Sequence, residues 1–133
     1  MMTNPYLHSL IKNDKIIKKK GGKMDISNEG LLTQLGYNAD ENSLKELENI
    51  QKNTKGFENI KKHIISLNDH LKPYDSYVAM SNSNPYFKIK IDTDNKNFID
   101  EAKEIIENWR EKYKINLKKV EGKETYYIVG IQG

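Results

Sequence analysis

From residue 76 to residue 131 the chain alternates apolar and polar positions in four short runs, and one helical run divides them two and two. In Tyr86-Phe87-Lys88-Ile89-Lys90-Ile91, Phe87, Ile89 and Ile91 take one side of a strand, and Tyr86, Lys88 and Lys90 take the other. That two-residue period describes a sheet with one covered face and one wet face. Residues 76–81 predict the strand before it, joined through the turn signal Asn82-Ser83-Asn84-Pro85. Phe98, Ala102, Ile105, Ile106, Trp109 and Tyr113 then recur at helical spacing, with Asn97 as the expected N-cap. A third strand is expected near residues 115–121. After the turn Gly122-Lys123-Glu124 a fourth covers 125–131, with Tyr127, Val129 and Ile131 on one face and Tyr126 and Ile128 on the other.

The half before this block reads as helical. Ser27 can cap a helix over residues 28–35, and Gly36 can stop it. Leu44, Leu47 and Ile50 follow at helical spacing after a polar turn, and Asn53 to Gly56 breaks the run. Phe57, Ile60, Ile64, Leu67 and Leu71 make a long apolar stripe that ends at Pro73. The expected fold is α+β: a helical N-terminal half packed on a four-stranded, mainly antiparallel sheet in β-β-α-β-β order. The expected core holds Leu44, Leu47, Phe57, Ile60, Ile64, Leu67, Phe87, Ile89, Ile91, Ile105, Ile106, Trp109 and Val129.

Charge divides the chain differently. Of 22 basic residues, six lysines lie in residues 1–24, against one of the 19 acidic residues. Residues 1–24 are therefore expected to be a basic, partly flexible arm that includes Lys18, Lys19 and Lys20. Gly21-Gly22 fits either a joint or the turn of a weak hairpin. Residues 25–133 are expected to form one slightly acidic domain. Lysine is abundant and Arg110 is the sole arginine, which argues against base-specific readout, where the planar guanidinium fork is the usual tool.

The chemistry this sequence offers is sparse. It has no cysteine, so disulfides, thiolate metal sites and thiol nucleophiles are absent. His63 and His70 lie seven apart on one expected helix, about 10 Å along its axis, too far to share one metal. Asp92-Thr93-Asp94 opens like a calcium loop, but Lys96, Asn97 and Lys103 stand where a ligand, a glycine and a glutamate are needed. Glu101, Glu104, Glu107 and Glu111 fit a solvated helix face. No glycine-rich phosphate loop or nucleophile elbow occurs. No enzyme activity and no cofactor are expected. No stretch approaches the roughly 18 apolar residues that span a bilayer, so the expectation is a soluble cytoplasmic protein without membrane contact.

One surface remains. The wet sheet face is expected to display Tyr86, Lys88, Lys90 and Tyr126, with Lys118 beside them. The leading expectation is a protein partner, as for an adaptor, inhibitor or antitoxin-like module, because tyrosine is favoured at such surfaces. The alternative is RNA or single-stranded DNA, stacked on the tyrosines and held by this face and the basic arm. An open sheet edge also leaves room for a homodimer. The stretch Asn84-Pro85-Tyr86-Phe87-Lys88-Ile89-Lys90-Ile91, followed by Glu101-Ala102-Lys103, resembles a strand and helix of the C-terminal α/β domain of the initiation factor 2 alpha subunit. That resemblance covers under half the chain and assigns it no function.

Overall fold

The structure, a computed structural model, describes residues 18–20 and 23–132. The expected hydrophobic stripes become helices, and three of the four start at a side-chain N-cap. Helix α1 (Asn28–Gln34) starts where the Ser27 hydroxyl accepts the Gly30 N–H at 3.0 Å. Helix α2 (Glu41–Asn53) starts where Asp40 Oδ1 accepts the Ser43 N–H at 2.8 Å, a bond that also holds the Asp40 carboxyl below its ordinary pKa. Helix α3 (Phe57–Leu71) buries Phe57, Ile60, Ile64, Leu67 and Leu71 on one stripe and runs into a short 3-10 turn at Lys72–Tyr74 that contains Pro73. Helix α4 (Lys96–Tyr113) is capped by Asn95, two residues before the expected Asn97; the Asn95 Oδ1 accepts the N–H groups of Asn97 and Phe98.

Four strands form the main sheet: β3 (Ser76–Met80), β4 (Phe87–Ile91), β5 (Ile115–Lys119) and β6 (Thr125–Ile131). Their spatial order is β3-β4-β6-β5, and every pairing is antiparallel. Since β4 and β5 both run antiparallel to β6, they run parallel to each other. A parallel pair needs a long crossover, and α4 supplies it. Upstream, β1 (Lys18–Lys20) and β2 (Lys23–Asp25) pair antiparallel as a separate two-stranded ribbon. This is the hairpin alternative for that region; the expectations for residues 1–17 lie outside the described residues. Among the described residues no helix is long and apolar enough to cross a membrane.

The core lies between the helices and one face of the sheet. Phe87, Ile89, Ile91, Val78, Met80, Ile115 and Ile128 project into it from the strands. Phe87 stacks on Phe57 at 6.1 Å, and the Trp109 Nε1–H donates to the His63 carbonyl at 2.9 Å, tying α4 to α3. Three expected core residues sit at its margin instead. Leu44 and Ile105 are partly buried helix positions packed against the core. Val129 falls at a register shift, where Asn116 pairs with Gly130 but Leu117 pairs with Ile128. This bulge leaves Val129 unpaired, while the pairing of Ile128 with Phe87 puts Ile128 in the core and Val129 on the face of Tyr127.

Gly130 explains why the bulge sits there. Beyond Ile128, β6 outruns β4, and the α2–α3 linker takes the vacant place beside it. Lys55 bridges Gly130 in parallel, and the Ile131 N–H donates to the Lys55 carbonyl at 2.9 Å. The approach is so close that a Cβ at position 130 would stand 3.0 Å from the Lys55 nitrogen, and the backbone there has φ +151°. Only glycine takes that geometry without strain.

The two sheet edges are unlike. On β3, the outward N–H of Val78 donates to Asn68 Oδ1 at 2.9 Å, and that of Met80 to the Tyr37 hydroxyl at 2.8 Å. Side chains from the helical layer thus satisfy donors that would otherwise invite another strand. Edge strand β5 instead carries exposed Asn116, Lys118 and Lys119.

Candidate binding face

Register decides which side chains share the outer face. Phe87, Ile89 and Ile91 point to the helices, so Lys88 and Lys90 point away, and their cross-strand partners point with them. One row across the sheet reads Tyr77, Lys90, Thr125; the next reads Ala79, Lys88, Tyr127, Lys118. Tyr86, one step before β4, continues the outward series, and its ring lies 5.9 Å from that of Tyr127 at a 39° tilt. Among the described residues the helices pack on the opposite face. The strand positions of this outer face therefore carry three lysines and no carboxylate.

Tyr126 is a correction. It pairs with Ile89 and Lys119, on the helical side, and is half-buried against the core. Burial there, with Glu124 nearby, pushes its hydroxyl pKa up. The alternation of β6 separates Tyr126 from Tyr127 correctly, but both faces of Tyr-Tyr-Ile-Val read as apolar. The long-range pairing to Ile89 settles which tyrosine is covered. Tyr127 takes the place expected of Tyr126. Lys88, Lys90, Tyr86 and Lys118 lie where expected. Lys18, Lys19 and Lys20 form β1 and pair with Asp25, Met24 and Lys23.

The outer face is hollowed between the β3–β4 loop and the β5–β6 turn. A trough of about 150 Å³ is floored by Lys88, Lys90, Thr125 and Tyr127. Ser81, Asn82 and Ser83 wall one end, and Val120 and Lys123 the other. Ser83 Oγ lies 3.5 Å from the Tyr127 hydroxyl and 3.4 Å from Ser81 Oγ. Bonds from Ser83 and Ser81, with the positive charges of Lys88 and Lys123, hold the Tyr127 hydroxyl below its ordinary pKa. Sequence reasoning missed Lys123 and Tyr77. Lys123 was visible only as a turn residue, and nothing local announces that its turn bends toward Lys88.

The remaining candidates are placed elsewhere. His63 stacks on Tyr113 with ring centres 3.7 Å apart, and partial burial with Lys62 and Lys112 holds its pKa down. His70 is exposed, with Nδ1 2.8 Å from the Ser66 carbonyl. Among the described residues no three His, Asp or Glu side chains gather as metal ligands. The broad depression at the end of α4 is lined by Arg110, Glu111, Lys112 and Lys114. There Arg110 is engaged by Glu107 and Glu111, so its charge is answered on the spot. No family model, no curated protein and no solved structure matches this chain.

Proposed function

We propose that this chain is a small cytoplasmic, non-enzymatic binding module that holds single-stranded nucleic acid on the outer face of its sheet. The observation that carries the reading is the tilted Tyr86–Tyr127 pair set among Lys88, Lys90, Lys118 and Lys123, with no carboxylate on the strand positions of that face. The half-exposed rings offer stacking to any unpaired base, at roughly 1–3 kcal/mol per base, and the ammonium groups attract phosphate. A duplex would hide its bases from such a platform. The shortage of arginine fits recognition that tolerates many sequences, and the lysines of residues 1–24 add a second cationic element.

A protein partner is the second reading. The observation in its favour is the β5 edge, to which an incoming strand could add. A second copy of the chain would use the same edge. Lys118 and Lys119 on that edge oppose strand addition, as edge lysines generally do.

The test is fluorescence anisotropy of a labelled single-stranded oligonucleotide. Binding should weaken as salt rises, with a log–log slope of about −0.7 per phosphate contacted. Tyr86→Ala and Tyr127→Ala should each cost about 5- to 150-fold in affinity, the equivalent of one stacked base. Absence of binding at low salt would end the reading. Undiminished binding by both variants would move the site off this face.

A further inference from the structure

The trough beside the tyrosine pair is built differently from the rest of the face. Lys88 and Lys90 rise from its floor and Lys123 faces them from the β5–β6 turn. None of the three forms a salt bridge with another described residue, whereas most cations of the helices, Lys45, Lys61, Lys96 and Arg110 among them, have carboxylates at hand.

Its hydroxyl groups are also left with bonding capacity. Ser81 is nearly buried. Its Oγ already accepts the N–H groups of Ser83 at 3.2 Å and Asn84 at 3.3 Å, so its own proton is available to donate. The separations onward to Ser83 and then Tyr127, 3.4 and 3.5 Å, are long beside the roughly 2.7–2.8 Å of a good O–H···O bond. An oxygen-rich anion seated among these groups would take better bonds than they make with one another.

Size and shape narrow the anion. The volume of about 150 Å³ equals about five waters at liquid density. That is ample for a phosphoryl group with its attached carbon. The Ser81–Ser83 loop and the Val120–Lys123 turn line the two ends of this short trough. Three ammonium groups match a dianion better than the single charge of a phosphodiester.

We infer that the trough formed by Ser81, Ser83, Lys88, Lys90, Lys123 and Tyr127 is a binding site for a phosphate monoester, the terminal phosphate of the strand whose bases stack on Tyr86. The inference rests on the nucleic-acid reading for the identity of the ligand, and on the trough alone for its chemistry. Tyr127 joins the two parts, since its ring lies beside Tyr86 and its hydroxyl beside Ser83. The face would then recognise strand ends in preference to strand interiors.

The experiment compares one short oligonucleotide in three forms: 5′-phosphorylated, 3′-phosphorylated and unphosphorylated. Inorganic phosphate alone is titrated in parallel while the backbone amide signals of the labelled protein are followed. The wild type and Lys123→Gln are both measured; Lys123 is exposed in a turn, so its loss should leave the fold intact. The expected result is that one phosphorylated form binds about ten-fold tighter than the unphosphorylated strand, and that Lys123→Gln abolishes the difference. Inorganic phosphate should shift the amides of Ser81, Ser83 and Lys123. Equal affinities for all three strands would overturn end recognition and leave the stacking platform standing. Phosphate shifts without strand binding would keep the monoester site and remove the platform. If phosphate perturbs nothing and no strand binds, both ideas fall.

Discussion

On the helical side of the molecule, most cations have a carboxylate partner. Lys45 lies near Glu41, Lys61 near Glu58, Lys96 near Asp100, and Arg110 near both Glu107 and Glu111. On the outer sheet face, Lys88 stands between Ala79 and Tyr127, and Lys90 between Tyr77 and Thr125. The aromatic residues divide the same way. Tyr113 stacks on His63 and meets Trp109 edge-on within the helical layer, while Tyr86 and Tyr127 lie tilted beside each other on the outer sheet face. Most cations of the helical side are answered by a nearby carboxylate, and these exposed pairs add little stability each. The sheet face keeps an unanswered positive field. A surface kept for solubility alone would be expected to intersperse both signs.

The contrast can be broken first through stability. Phe87 and Lys88 are neighbours in sequence on opposite faces of β4. Phe87→Ala should cost about 3–5 kcal/mol, because it empties a fully buried site stacked on Phe57. Lys88→Ala should change stability by no more than about 0.5 kcal/mol. Urea unfolding of the two variants measures both. A large loss for Lys88→Ala would mean that the outer face is structural.

A smaller effect is expected at the β3 edge. Asn68 is buried, and its side-chain oxygen is the acceptor for the Val78 N–H. Asn68→Ala should cost about 1–3 kcal/mol by leaving that donor unsatisfied, and should speed exchange of the Val78 amide. Unchanged amide protection would show that the edge is not sealed by this contact.

The smallest effect concerns pH. The folded pKa of His63 is depressed, first by burial and then by Lys62 and Lys112. Above its ordinary value of about 6.5 the ring is neutral in both states. As pH falls below that value, the unfolded chain takes up the proton more readily, so stability is lost until the folded ring also protonates. The wild type should therefore lose more stability than His63→Gln between pH 7.5 and pH 5.5 in urea melts. Equal losses would remove His63 from the acid response.

The two surfaces also differed in how far the sequence disclosed them. Helix neighbours are sequence neighbours, so the stripe from Phe57 to Leu71 and the Glu41–Lys45 pair could be read directly. The alternation of Phe87, Ile89 and Ile91 was equally plain, and with it the outward position of Lys88 and Lys90. Sheet neighbours come from distant sequence. Choosing Tyr127 over Tyr126 requires the pairing of Ile89 with Tyr126, and Val129 leaves the core with Tyr127 because Ile128 pairs with Phe87. The trough was hidden for the same reason, since its walls lie some forty residues apart in the chain.

The central claim is that the outer sheet face, and not the helical surface, is where the ligand sits. Amide chemical-shift mapping with a short single-stranded oligonucleotide at low salt tests it most directly. The account predicts that the amides of Tyr86, Lys88, Lys90 and Tyr127 shift on titration while the Trp109 indole N–H, bonded to His63 on the far side of the core, stays in place. Shifts concentrated on α3 and α4, with the β4 and β6 amides unmoved, would contradict it.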